Sequence, residues 1–136
     1  MKEWFIFALL ALVMWGLWGF FPKLSTNYIS PKSALVYEVL GSLIIGIIIF
    51  SLVGFKPEIQ GKGILFAVLT GIAATLGTLF FLYAVSKGEA SLAVTTTALY
   101  PLITIALAFL ILKEPITVLQ GVGMILAIVA MVLFTL

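Results

Sequence analysis

The chain has 136 residues, 64% of them apolar and 9% charged, with a mean hydropathy of +1.36. Soluble domains sit near about 45–50% apolar and 25% charged, so a soluble fold is excluded. Cys, His, Asp and Arg are all absent, and the ionic groups are seven Lys and five Glu. That removes disulfides, thiol chemistry, the usual zinc sites and histidine switching, and a surplus of two lysines makes no nucleic-acid surface. No cofactor is implied.

Trp4–Phe21 is an uncharged run behind Met1, Lys2 and Glu3. It exceeds the ~7–15 apolar residues of a signal peptide and reads as a retained first span. Trp4 suits an interfacial belt at one end. Trp15 and Trp18, near the other end, suit a second belt or the aromatic wall of a substrate cavity. Pro22–Ser33 reads as the longest loop, with Ser33 as N-cap of the next helix. The second span, Ala34–Phe55, holds Glu38, the one ionisable group inside an apolar run. Glu38, Gly41, Ser42 and Ile45 share a helical face, and that face should meet protein, because a carboxylate facing lipid is costly.

The third span, Ile64–Val85, carries a stripe of small and polar residues, Ala67, Thr70, Ala74, Gly77 and Thr78, which suits close helix packing. Two further runs, Ala90–Leu112 and Ile116–Leu136, are separated by Lys113, Glu114 and Pro115. Each can cross a hydrocarbon core of about 30 Å, so the pair predicts a hairpin of membrane helices, with Pro115 opening the second. Pro101 lies near the middle of the fourth span. It cannot donate to the carbonyl of Thr97, and Thr95, Thr96 and Thr97 crowd the same turn while Thr104 lies on the Pro101 face. Either the threonine hydroxyls heal a simple kink, or exposed backbone, Thr97 and Thr104 line a midplane site. In the fifth span Gln120, Gly123, Ala127 and Ala130 share a face, and the Gln120 amide suits interhelical hydrogen bonding. The fold predicted is an all-α membrane protein of five transmembrane helices, at about 4–21, 34–55, 64–85, 90–112 and 116–136, forming one domain over 1–136.

Several pieces stand in a family's order. Trp15-Gly16 with Lys23, then Gly88-Glu89-Ala90-Ser91, central Pro101, Leu112-Lys113-Glu114-Pro115-Ile116-Thr117 and Gln120-Gly121-Val122-Gly123 together resemble one repeat of the EamA-like family, within the drug/metabolite transporter superfamily. The resemblance implies a multi-pass transporter, expected at the cell (plasma) membrane. It also implies that two inverted five-helix repeats enclose a midplane site. One copy here implies a partner, either a second copy or a homologous five-helix chain, in antiparallel orientation. The lysines are compatible with dual insertion: Lys2, Lys56, Lys62 and Lys113 would lie on one side and Lys23, Lys32 and Lys87 on the other. Many repeats of the family carry a basic residue about where Glu38 stands, so that residue's role does not carry over. The reversed charge points to a different substrate, to coupling with a cation, or to a structural glutamate.

The leading function is therefore a small dimeric transporter in the lipid bilayer, moving a small metabolite or amphiphile. Glu38, Thr97, Pro101, Thr104, Trp15 and Trp18 are the candidates to meet the substrate or a coupling ion, with Glu38 either a helix-end charge or a group that exchanges a proton for substrate. The alternative is a non-transporting subunit that stabilises a larger membrane complex. A membrane enzyme is least supported, since no acid–base pair or metal cluster is visible.

Overall fold

A computed structural model describes residues 3–135 and is all-helical among them. Lys2 and Leu136, on which part of the lysine count and the predicted end of the last span rest, lie outside the described residues. The helices are α1 (Glu3–Thr26), α2 (Pro31–Leu52), α3 (Gly61–Lys87), α4 (Ala90–Thr97), α5 (Tyr100–Leu107) and α6 (Val118–Thr135), with a π-helical turn, Ala108–Leu112, after α5. Glu3–Thr26, Pro31–Leu52, Gly61–Lys87 and Ala90–Leu112 are each long and apolar enough to cross a membrane, and α6 supplies a shorter apolar helix over Val118–Phe134. Most large apolar side chains along them are exposed, which is the pattern of helices solvated by lipid rather than water. The protein is a multi-pass integral membrane protein. Its contacts divide it into two compact units, Met1–Lys87 and Gly88–Leu136.

In the first unit α1 does not stop at Phe21. It runs through Pro22 to Thr26, whose hydroxyl donates to the Pro22 carbonyl (2.9 Å). The predicted twelve-residue loop shrinks to residues 27–30, and α2 starts at Pro31, with Ser30 rather than Ser33 as N-cap (Ser33 N–H to Ser30 Oγ, 3.4 Å). Proline at the first helical position loses nothing there, because that N–H has no intrahelical partner anyway. The far end of α2 closes on Gly54 (φ 65°) and Phe55 (φ 58°). Phe55 tolerates this left-handed geometry by donating its N–H to Phe50 O (3.0 Å) and packing edge-on against the Phe50 ring.

The three helices meet at the end where α1 finishes and α2 begins. Among the described residues the buried ones are Gly19, Pro22, Ala34, Thr78, Phe81, Leu82 and Val85, all at that end. Thr78, Phe81, Leu82 and Val85 fall at i, i+3, i+4 and i+7, one face of α3. The small stripe predicted to pack lies on the same face one to three turns earlier. Of it only Thr78 is buried; Ala67, Thr70, Ala74 and Gly77 are exposed. Lys23, in the last turn of α1, donates to the carbonyl of Val85 near the C-terminus of α3 (2.8 Å). A cation on a helix's last carbonyls satisfies an acceptor and the negative end of the dipole together. Lys23→Met should therefore destabilise the detergent-purified protein by about 2 kcal/mol, read as a lower thermal unfolding midpoint.

In the second unit the fourth span is broken, as Pro101 predicts. α4 ends at Thr97, Ala98 and Leu99 form a turn, and α5 restarts at Tyr100 with Pro101 inside its first turn. Pro115 does not open the last helix. Lys113 turns left-handed (φ 58°), and α6 begins at Val118. Its start is a reciprocal cap: the Thr117 N–H donates to Gln120 Oε1 (2.8 Å), and the Gln120 N–H donates to Thr117 Oγ1 (3.2 Å). Gln120 is thus engaged in its own helix's cap rather than reaching another helix.

Candidate functional site

Helix length alone sets three residues at one level. Trp18 lies eight residues before the end of α1, Glu38 seven after the start of α2 and Phe81 six before the end of α3. At 1.5 Å per residue each is about 9–12 Å inside the helix ends. The later start predicted for α2 would have placed Glu38 about 6 Å deep. The contacts fix the register. Trp18 touches α2 near its start, so α1 and α2 are antiparallel. Trp18 meets Phe81 and Lys23 meets Val85, so α1 and α3 run the same way.

The three side chains form one cluster. The Trp18 indole N–H donates to Glu38 Oε1 at 2.8 Å. The indole stacks on the Phe81 ring, with centroids 5.0 Å apart and planes 23° from parallel. Phe81 is 4% exposed, a fixed backing for an indole that remains 38% exposed. Glu38 is half-buried, and one turn on, Ser42 Oγ donates to the Glu38 carbonyl (3.1 Å). Glu38 itself meets protein through the Trp18 indole, whereas Gly41, Ser42 and Ile45, the rest of the face expected to pack, are exposed. Among the described residues the side-chain partner of Glu38 is a neutral N–H, which orients the carboxylate without supplying a counter-charge. An ionised carboxylate accepts several hydrogen bonds, and the indole occupies one of those positions.

Every other Lys and Glu among the described residues sits in a loop or in the terminal turns of a helix. Glu38 is the exception.

Trp15 lies one turn before Trp18 on α1 and is exposed. Trp18 bridges α2 and α3 through Glu38 and Phe81. Spacing offered a signal for this pairing: Trp18 and Glu38 are each ten residues from Tyr28, in the turn, so a hairpin brings them level. Phe81 carries no separate signal in the sequence beyond extending the face begun by the small stripe.

The remaining candidates lie in the second unit. A cleft of about 410 Å³ runs beside the helix break, lined by Ala98, Pro101, Leu102, Glu114, Gln120 and Ala127 among others. It takes in Pro101 but not Thr97 or Thr104. Thr97 Oγ1 donates to Ala93 O (2.9 Å) and Val94 O (3.0 Å), Thr95 Oγ1 to Ser91 O (2.7 Å) and Thr104 Oγ1 to Tyr100 O (3.4 Å). Hydroxyls bound to carbonyls of their own helix favour a bend in the span and still offer lone pairs as acceptors.

A model of the EamA-like transporter family matches residues 2–136. An uncharacterized protein of Methanocaldococcus jannaschii is 30% identical over 130 residues, which covers 96% of this chain and 94% of the relative. That relative therefore has no room for a second repeat of this size. No solved structure matches the chain.

Proposed function

The chain belongs to the EamA-like transporter family, and from that premise we propose that it moves a small metabolite or amphiphile across the cell membrane as a dimer of two five-helix copies, arranged antiparallel. The family makes it a membrane protein of the drug/metabolite transporter type. The observation that carries the finer reading is the Trp18–Glu38 contact. A charge inside a span is costly, and a subunit that only packs against a larger complex has no use for one held by a neutral donor. Glu38 and Trp18 meet the substrate or coupling ion, Trp15 extends the aromatic surface, and the break at Pro101, flanked by Thr97 and Thr104, is the part that moves.

Transport is tested in proteoliposomes under an imposed proton or sodium gradient, with a labelled panel of organic amines, organic acids, sugars and amphiphiles. Uptake of at least one class above empty vesicles is expected. Silence across the whole panel would return the chain to the role of a packing subunit.

The antiparallel pair has its own test. Reporters fused to either terminus should each report from both sides of the membrane. Asn27→Lys with Tyr28→Lys, in the 27–30 loop, should force one orientation and remove uptake. Coexpression with an oppositely biased variant should restore it. A wild-type chain found in a single orientation and active alone refutes the antiparallel arrangement.

A further inference from the structure

The charge balance of the Trp18–Glu38–Phe81 cluster restricts what can occupy it. Its one ionic group is negative and its hydrogen-bond partner is neutral, so an anionic solute would bring a second negative charge into a low-dielectric level of the span. A cation would neutralise it. Glu38 is the one carboxylate of the cluster, and among the described residues no three or more Asp, Glu, His or Cys side chains gather into a multi-carboxylate cation site. What surrounds the carboxylate is aromatic. Phe81 stacks on one face of the Trp18 indole, and Trp18 as a whole is still 38% exposed beside Glu38. An indole face is the strongest aromatic partner for an ammonium group.

We propose that this site takes an organic cation, an amine or quaternary ammonium bearing an apolar group, with its charge on the Glu38 carboxylate and its methyl or methylene groups on the outer face of Trp18. This deepens the transporter reading and rests on it for the site's purpose, but the charge requirement stands on the cluster alone. The indole N–H keeps the carboxylate aimed, so that the cation meets oxygens already in place. The neighbouring apolar surface of α1 and α2, exposed at Leu17, Phe21 and Tyr37, suits the apolar portion of such a molecule.

The test uses the purified full chain in lipid nanodiscs and radiolabelled benzyltrimethylammonium. Saturable binding is expected, displaced by unlabelled cation roughly tenfold or more better than by its neutral carbon isostere neopentylbenzene, with benzylphosphonate ineffective. Glu38→Gln, checked as monodisperse, should lose that preference, while Trp18→Phe should keep part of it. No saturable binding of the cation, equal displacement by the isostere, or a charge preference unchanged in Glu38→Gln would each overturn the proposal. Uptake measured in parallel separates it from the transporter reading. Glu38-dependent cation binding without uptake of any solute leaves the site standing and removes transport. Uptake without Glu38-dependent cation binding leaves transport standing and removes the site.

Discussion

Glu38→Gln is expected to bring concentrative uptake in proteoliposomes down to the level of empty vesicles while the protein still inserts and purifies normally. The two consequences separate because the amide keeps one property of the carboxylate and loses another. Glutamine Oε1 can still accept the Trp18 N–H, so the 2.8 Å contact between α1 and α2 survives and stability should change by no more than about 0.5 kcal/mol. The negative charge is gone. Removing one member of a desolvated charge pair costs about 2–5 kcal/mol of binding, a loss of roughly 30-fold to several thousandfold. Glu38→Asp retains the charge on a shorter arm and should retain measurable uptake. Glu38→Leu does the opposite of Gln: it removes the acceptor of the Trp18 N–H and should lower stability by about 0.5–1.5 kcal/mol. Undiminished uptake by Glu38→Gln against a gradient would make Glu38 a charge that helps only to fix α2.

How far this site could be read from sequence depends on which physical signal each part leaves. The spans are legible because hydropathy reports the hydrocarbon core directly, and the broken fourth span is legible because Pro101 has no N–H. Helix ends are less so. The apolar run stops at Phe21, yet α1 continues to Thr26, because a helix passes into the headgroup region where Lys23 and Thr26 find carbonyls to bind. Hydropathy marks where lipid tails end, not where the helix does. Pro22 and Pro115 both read as boundaries, and in the structure one lies within a helix and the other in a loop.

Rotation was the larger gap. Spacing about the 27–30 turn places Trp18 level with Glu38, but nothing in one sequence says that both face inward together. The α3 stripe shows the same limit. Its small residues suggest close packing, yet apart from Thr78 the buried face is made by the larger Phe81, Leu82 and Val85 one turn on. Thr117 and Gln120 were readable as a capping box, with threonine three residues before glutamine at the start of an apolar run.

The other large effect is expected at Pro101. The fourth span exists as α4 and α5 around the Ala98–Leu99 turn, and proline at 101 withholds the N–H that would reach the Thr97 carbonyl. Pro101→Ala supplies that donor and removes the ring's clash with the preceding turn. The span should then close toward one continuous helix, and the gain in helix stability should reach about 1–3 kcal/mol if nothing else opposes it. A transporter that needs the break to move should lose most of its uptake while becoming harder to unfold, a pairing that a damaged protein does not show. Accessibility locates the moving part. The native chain has no cysteine, so single cysteines report cleanly. At Ala98 and Ala127, which line the cleft, they should react with a small water-soluble thiol reagent, and Pro101→Ala should slow that reaction. Cysteines at Thr97 and Thr104, outside the cleft lining, measure whether water also reaches the threonine side of the break. Full uptake by Pro101→Ala, with both cleft cysteines protected, would reduce the break to a kink that the threonine hydroxyls stabilise and that transport does not use.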